Sequence, residues 1–221
     1  SEASTHKKFV NYWFHNEHLL VDGHKMSKSL GNFYTLRDLL DKGYNPKAIR
    51  YLLLSANYRV QLNFTEESVK AAHNAVERLN DFIIKLKEIK IKFKNKDIEK
   101  LIQKTKKQFE DAMDDDLNIS IALSHIFEFV KEMNTLMMEN KIGKNDVKKI
   151  IKLMKSFDKV LGILEEKEKK LSSELKKLIE EREKARKEKN FAKADKIREE
   201  LKQKGIVLED TKEGVRWKRA D

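Results

Sequence analysis

The sequence predicts a mainly α-helical protein: an antiparallel helical bundle, preceded by a short segment of strands and a basic loop, and followed by a small α+β module. One proline and seven glycines in 221 residues leave little room for the turns of a sandwich or barrel. Apolar residues recur at spacings of three and four over most of the chain, which is the period of a helix with one buried face. Strand-favouring runs occur only near the two ends, at residues 9–21 and 206–218.

The composition favours a polyanionic partner. The formal net charge is +11 and the pI is about 9.5, so nucleic acid is the first candidate, although a lysine surplus also serves solubility. There is no cysteine, so neither a disulfide nor a thiolate metal site can form within this sequence, and a cytoplasmic location is expected. No apolar run approaches the roughly 18–20 residues needed to cross a membrane, and no membrane partner is expected. Residues 1–5 have neither an initiator methionine nor an apolar signal core, so we expect the sequence to begin inside a longer protein.

Residues 1–45 are the first predicted segment, and they contain too few strands to be a domain of their own. The run 9–15 is aromatic and β-favouring. Leu20-Val21 then leads into Asp22-Gly23, a hairpin-type turn. We expect these strands to lie against a sheet outside this sequence.

A basic, hydroxyl-rich loop follows the hairpin and is the stretch most suggestive of chemistry. It consists of Lys25, Met26, Ser27, Lys28 and Ser29. Two ammonium groups three positions apart, with two hydroxyls beside them, suit a polyphosphate because charge-assisted hydrogen bonds to phosphate oxygens are strong. On these residues alone, a solvated loop without a ligand is the commoner alternative in a chain so rich in lysine.

Two clusters contain residue types that bind metals, and neither is expected to do so. His15 and His18 lie three apart on a predicted strand, whose period is two, so they do not share a face. Asp114, Asp115 and Asp116 lack the glycine and the spacing of a calcium loop. We expect this acidic run to join two helices, and we predict no metal site in the chain.

Residues 46–164 are predicted to form the helical bundle, which has no catalytic constellation of its own. Pro46 suits the first turn of a helix, and Thr65 opens the longest one, although Thr65 and Ser68 do not make a strict capping box. The stretch 85–107 has ten lysines against three acids, which fits either a phosphate-contacting face or a solvated surface. The solvated surface is favoured because lysine by itself brings no fixed recognition geometry.

Residues 171–221 are predicted to form a separate module, joined to the bundle by the charged linker 165–170. Two helices, the second capped by Asn190, precede a hairpin of strands at 206–209 and 215–218. Exposed polar and aromatic groups on such a module suit splayed-out bases, which is the usual way in which single-stranded RNA is recognised.

Several strings in this order resemble the cysteinyl-tRNA synthetases, a family of class I aminoacyl-tRNA synthetases, over essentially all 221 residues. They are Lys25-Met26-Ser27-Lys28-Ser29 with Leu30-Gly31-Asn32-Phe33, Arg50-Tyr51-Leu52-Leu53-Leu54-Ser55, Met113-Asp114-Asp115-Asp116-Leu117-Asn118, Ala192-Lys193-Ala194-Asp195 and Gly205-Ile206-Val207-Leu208-Glu209-Asp210. The resemblance implies an enzyme, a cysteine–tRNA ligase that attaches cysteine to tRNA(Cys) using ATP with Mg²⁺.

The resemblance also assigns roles to particular residues. Residues 1–45 would end the catalytic domain, with Lys25, Met26, Ser27, Lys28 and Ser29 binding ATP. Lys25 and Lys28 would act catalytically on the phosphates, with Lys28 as the main contact.

The remaining segments would bind tRNA. The bundle would be of the DALR type found in anticodon-binding domains, and the C-terminal module would recognise the anticodon through Arg186, Phe191, Asp195 and Asp210. Phe191 stands where the family often has a stacking tryptophan, and it keeps the stacking face while it loses the indole donor.

The sequence also departs from the family. The first nucleotide motif, His-x-Gly-His, and the zinc-binding cysteines are absent from these residues. The resemblance therefore implies Zn²⁺ in the family without a ligand set here, and cysteine bound only through a preceding domain. We expect the chain by itself to bind tRNA(Cys) as a monomer without activating cysteine. The alternative is a free-standing RNA-binding or structural module derived from a synthetase, with no catalysis.

Overall fold

The structure, a computed structural model, describes residues 1–93, 95–165, 173–188, 190–211 and 214–219. Within these ranges the side chains at 173, 176, 187, 209–211, 214 and 216–219 are not described. The chain divides into two compact units, Ser1–Glu165 and Glu166–Asp221. Both are built mainly from helices with a small sheet, which confirms the predicted fold class. The predicted division into three domains stays a prediction.

A three-stranded sheet holds the start of the first unit. Its strands are β1 (Leu20–Val21), β2 (His24–Lys25) and β3 (Asn63–Phe64), in the order β2-β1-β3. The strands β1 and β2 pair antiparallel around the turn at Asp22 and Gly23, which confirms the predicted hairpin. The parallel pairing of β1 with β3 was not predicted, and it ties the hairpin to the chain just before the bundle.

The aromatic run before the hairpin is not a strand, so the prediction of strands at 9–15 is wrong. Apart from a short helix, α1 (Glu2–Thr5), residues 1–19 have no regular structure. Tyr12 is 93% exposed and Trp13 is 70% exposed. A β-favouring sequence forms a strand only where another strand supplies hydrogen bonds, and no described strand lies beside this run.

Two short helices follow the basic loop, and each begins at a side-chain cap. Helix α2 (Leu36–Asp41) starts at Thr35, whose hydroxyl accepts from the Asp38 amide while the Asp38 carboxylate accepts from the Thr35 amide. Helix α3 (Pro46–Ser55) starts at Asn45 with Pro46 in its first turn, as predicted. Both helices pack on a small core with the sheet, whose buried members are Val21, Leu39, Ile49, Leu52, Phe64, Val69 and Ala72.

Four longer helices form the bundle. They are α4 (Glu66–Glu88), α5 (Asp97–Asp114), α6 (Ile119–Met138) and α7 (Lys144–Leu161). Their apolar stripes meet in a second, larger core, whose fully buried large side chains include Leu79, Phe82, Leu86, Ile98, Ile126, Phe129, Met133, Ile150 and Met154. None of the helices in the described ranges has the length and apolar character that crossing a membrane requires.

The helix ends confirm one prediction from the sequence and correct another. The acidic run at 114–116 joins α5 to α6, as expected, and Asn118 caps α6. Thr65 and Ser68 do make a reciprocal capping box, because a serine hydroxyl can accept from the cap amide as a glutamate would. At the start of α7 the buried Asp146 carboxylate accepts from the amides of Gly143 and Asn95, so its charge is matched by donors.

Helix α3 also holds the far end of α7. Lys47 Nζ donates to the Gly162 carbonyl over 2.7 Å, and Arg50 Nε donates to the Leu161 carbonyl. The last carbonyls of a helix have no partner within the helix and carry partial negative charge, so these two cations satisfy and stabilise that end.

The second unit is an αα-hairpin followed by a β-hairpin. Its elements are α8 (Ser173–Lys187), α9 (Phe191–Gln203), β4 (Ile206–Thr211) and β5 (Gly214–Arg219), with β4 and β5 antiparallel. Asn190 caps α9, as predicted. A small core joins helices and hairpin, and its members are Ile197, Leu201, Ile206 and Leu208, with Leu175, Leu178, Ile179 and Val215 around them.

We predict that Gly143→Ala destabilises the first unit by about 1–3 kcal/mol. A Cβ at Gly143 would lie 1.8 Å from the Phe93 carbonyl oxygen, and that backbone is held by a hydrogen bond from the Lys144 amide to the Ile91 carbonyl. Urea unfolding followed by circular dichroism measures the loss. The control is Asn145→Ala on the exposed side of the same turn, which should change the free energy of unfolding by less than about 0.5 kcal/mol. Equal effects of the two substitutions would contradict the prediction.

Candidate functional site

The basic loop extends from the end of β2 and presents its cations to solvent. Lys25, Lys28 and Ser29 are exposed, whereas Met26 is half-buried and packs on the small core. Because Met26 anchors the loop on its inner side, the charged groups are left on the outer side. Neither Lys25 nor Lys28 forms an ion pair within the described part of the chain.

Asn32 closes the loop from within. Its carboxamide oxygen accepts from the Ser27 amide over 2.9 Å, and its nitrogen donates to the Lys25 carbonyl over 3.1 Å. Gly31 has a φ of +68°, a conformation that glycine adopts without strain, and its amide donates to the Lys28 carbonyl. The role of Asn32 was not predicted, although asparagine in a glycine-containing turn is a recognised signal of such hydrogen bonds.

The two hydroxyls and Lys28 have local contacts that leave them available to a ligand. The Ser27 and Ser29 hydroxyl oxygens lie 3.2 Å apart, and Lys28 Nζ lies 5.5 Å from the centre of the Phe33 ring. A cation over an exposed aromatic face is weakly held, so a phosphate oxygen can compete for it. The arrangement suits an anion carrying several phosphate oxygens.

A polar cluster connects the segment before β1 to the bundle. Asp116 accepts from Arg59 Nε over 2.6 Å and from the Tyr58 hydroxyl over 2.6 Å. The Tyr58 ring in turn packs at a tilt against Phe14 with ring centres 4.3 Å apart, and the Tyr58 carbonyl accepts from the Glu17 amide. This cluster was not predicted. It fixes the approach to the hairpin that carries the basic loop.

The charges in the cluster are mutually adjusted. The hydrogen bond from Arg59, and then that from Tyr58, hold the pKa of the Asp116 carboxyl below its usual value. The same contact with Asp116 raises the pKa of Tyr58 and that of Arg59. Each shift favours the charge state in which the hydrogen bonds to Asp116 are made.

The predicted anticodon-binding residues lie in the second unit, and the structure places two of them on one helix face. Phe191 is 59% exposed at the start of α9, and Asp195 is exposed one turn later. Arg186 is exposed near the end of α8 and has polar interactions of its own. The backbone of Asp210 pairs with Val215 in the hairpin, but its side chain lies outside the described residues.

The described residues do not fit a zinc site. Nowhere in them do three histidine, aspartate or glutamate side chains converge, and the sequence has no cysteine. His15 stacks on Trp13, and Asp116 is engaged by Arg59 and Tyr58.

Comparison with known families accounts for most of the chain. Residues 1–74 match the catalytic domain of class I (C) tRNA synthetases, residues 108–165 match the DALR domain, and residues 168–217 match the cysteinyl-tRNA ligase anticodon binding domain. The chain belongs to the cysteine–tRNA ligase family.

Individual relatives agree with this assignment. The chain is 44% identical to the cysteine–tRNA ligase of Protochlamydia amoebophila over 221 residues, which cover 99% of the chain and 46% of the relative. It is 46% identical to that of Brachyspira hyodysenteriae, covering 99% and 48%, and 46% identical to that of Leptospira interrogans, covering 98% and 47%. The chain spans about half the length of the curated relatives it matches, and it corresponds to their C-terminal portion.

We predict that Asp116→Asn removes a pH-dependent part of the stability of the first unit. A carboxyl whose pKa is lowered by folding stabilises the fold above its unfolded pKa of about 3.9, and that contribution is lost as the pH falls through the folded value. The variant should therefore be less stable than the parent at pH 7, and the difference should shrink below about pH 4. Asparagine tolerates the positive φ of 52° at this position, so the backbone is preserved.

Urea unfolding at a series of pH values measures this difference. Asp115→Asn serves as the control, because Asp115 is exposed beside Asp116 without its contacts to Arg59 and Tyr58. A difference between Asp116→Asn and the parent that stays constant from pH 7 to about pH 3 would contradict the prediction.

Proposed function

We propose that these residues serve cysteine–tRNA ligation, the joining of cysteine to tRNA(Cys) with ATP, and that they supply the ATP loop and the tRNA-binding surfaces. The observation that supports this most directly is a loop whose two lysines have no ion pair with any described residue, inside a chain that is similar over 99% of its length to a cysteine–tRNA ligase. The alternative is a non-catalytic RNA-binding or structural module derived from a synthetase. Both hypotheses can assign RNA binding to the second unit, but the alternative requires no function of the loop.

In this proposal the loop binds the phosphates of ATP, which arrives with Mg²⁺. Lys28 is the main contact and Lys25 assists, with Met26, Ser27 and Ser29 completing the site. In activation the carboxylate of cysteine attacks the α-phosphorus of ATP, the bond between the α- and β-phosphates breaks, and the adenylyl group is transferred as pyrophosphate leaves, so negative charge develops on the leaving group. The Asn32 hydrogen bonds fix the backbone of the loop, and the exposed Lys28 ammonium that the loop carries stabilises that charge.

The second unit recognises the anticodon in this proposal. Phe191 stacks on a base, and Asp195, Arg186 and Asp210 provide hydrogen-bonding groups for base edges. The exposed face shared by Phe191 and Asp195 supports the assignment, since stacking and edge contacts must reach the same nucleotide or its neighbour. Binding as a monomer and a cytoplasmic location stay predictions.

We predict that Lys28→Ala, in the full product of the gene, lowers the rate of cysteine-dependent ATP–pyrophosphate exchange by about 10²–10³-fold. The loss should appear in kcat, because the charge that Lys28 stabilises develops during the reaction. The control is Lys42→Ala, a nearby lysine that stacks over Tyr34 at 4.1 Å and is outside the loop. Equal exchange rates for Lys28→Ala and the parent would contradict the role of Lys28.

The same assay separates the two functions. The 221-residue chain alone is expected to bind tRNA without catalysing exchange. Absence of cysteine-dependent exchange from the full gene product would favour the non-catalytic module.

We predict that Asp210→Ala and Phe191→Ala each weaken binding of tRNA(Cys) by about 5–100-fold, since one base contact contributes about 1–3 kcal/mol to discrimination. Binding of the same tRNA with an exchanged anticodon should stay unchanged, because contacts to phosphates carry no sequence information. Filter binding at one salt concentration measures both. Glu180→Ala, at an exposed position of α8, is the control. Equal losses on the two tRNAs would argue against base recognition.

A further inference from the structure

The exposed face of α7 is covered by lysines and carries no exposed acid. Its two aspartates both accept hydrogen bonds from backbone amides. Asp146 is buried at the N-terminus of the helix and accepts from the Gly143 amide, and Asp158 is half-buried and accepts from the amides of Ile163 and Leu164. Six lysines occupy the exposed positions, namely Lys144, Lys148, Lys149, Lys152, Lys155 and Lys159.

Most of these lysines have no acidic partner. Lys149 pairs with Glu99 of α5. The other five have no ion pair or hydrogen bond from their ammonium groups within the described part of the chain. Their positive charge is therefore available to a ligand.

Helix α5 shows that the lack of pairing on α7 is not a general feature of this bundle. Three of the four lysines of α5 pair with an acid on the same helix, in the pairs Lys100–Asp97, Lys106–Glu110 and Lys107–Asp111. Pairing of this kind fits the solvated surface expected for the lysine-rich stretch. Among the described residues, five lysines of α7 lack an acidic partner, against one lysine of α5, Lys104.

The spacing of the α7 lysines places four of them in one stripe. Lys148, Lys152, Lys155 and Lys159 follow one another at four, three and four residues, so they lie on one side of the helix along about 16 Å. Like charges at this spacing repel each other and destabilise a helix. A polyanion laid along the stripe would remove that repulsion and release its own counterions.

We propose that this α7 lysine stripe binds the phosphodiester backbone of RNA, independently of sequence. The proposal rests on the proposed function in that tRNA is the RNA concerned. Lysines are mobile point charges without planar geometry, which suits phosphates better than base edges. An anionic membrane fits less well, because the apolar residues of α7 face the core and a membrane-binding helix presents an apolar face beside its charges.

The test compares two variants of the full chain with the same loss of charge. One is Lys148→Gln/Lys152→Gln/Lys155→Gln/Lys159→Gln on α7. The other is Lys100→Gln/Lys104→Gln/Lys106→Gln/Lys107→Gln on α5. The probe is a short blunt RNA duplex without a loop, so that no anticodon is present, and its dissociation constant is measured between about 50 and 200 mM salt.

We expect the α7 variant to bind the duplex at least tenfold more weakly at low salt than the parent. Each lost phosphate contact reduces the slope of log K against log[salt] by about 0.7–0.9, so the slope should fall by about 3. The α5 variant should change the slope by less than 1. Glutamine is a strong helix former, and thermal unfolding checks that both variants are folded. If the α7 variant does not fold, the single reversal Lys152→Glu replaces it and should itself weaken duplex binding.

Three results would overturn the proposal: no binding of the duplex by the parent chain, equal losses for the α5 and α7 variants, or an α7 effect confined to phosphatidylserine-containing vesicles. Failure of the proposed function has a different signature. The α7 variant should keep the ratio of affinities for tRNA(Cys) and the anticodon-exchanged tRNA. If the duplex affinity depends on the α7 lysines but the parent chain binds tRNA(Cys) and the anticodon-exchanged tRNA equally well, the result would support the stripe and count against the cysteine-specific function.

Discussion

The first unit depends on the several contacts of one short helix, α3. Its apolar residues Ile49 and Leu52 fill the small core, and Tyr51 packs against both cores. On its polar side, Lys47 and Arg50 satisfy the last carbonyls of α7. A helix that contacts neighbours on so many sides has little freedom to rotate about its axis, because any rotation would break some of these contacts. The sheet that carries the basic loop is therefore held in a defined position relative to the bundle.

The basic loop combines a firm base with free charges. Met26 and the hydrogen bonds of Asn32 fix the backbone, while Lys25 and Lys28 stay exposed. This division suits an anion-binding site. The fixed backbone of the loop loses little entropy when an anion binds, and the exposed lysine side chains can still adjust to the position of the anion. The α7 stripe is of another kind, because its geometry comes from the regular rise of a helix.

Local patterns in the sequence predicted much of this fold and identified the loop, but they could not supply the long-range contacts. Helical spacing, the Asp22-Gly23 turn, Pro46 in the first turn of a helix and the cap at Asn190 depend on residues near each other in the chain. The pairing of β1 with β3, and that of Arg59 with Asp116, 57 residues later, depend on the assembled fold. The strand predicted from the aromatic run failed for the same reason, since a strand requires a neighbour.

The corner between α5 and α6 has a consequence for the way the first unit comes apart. Asp116 and Leu117 both have positive φ, at 52° and 55°, a conformation that costs non-glycine residues on the order of 1–3 kcal/mol each. The corner is held by groups of the 58–59 segment, which itself contacts the chain ahead of the sheet. Detachment of that segment would leave the strained corner without support. Local opening of the sheet region and fraying of the α5–α6 junction are thus coupled, and their amides should exchange with solvent hydrogen as one cooperative group.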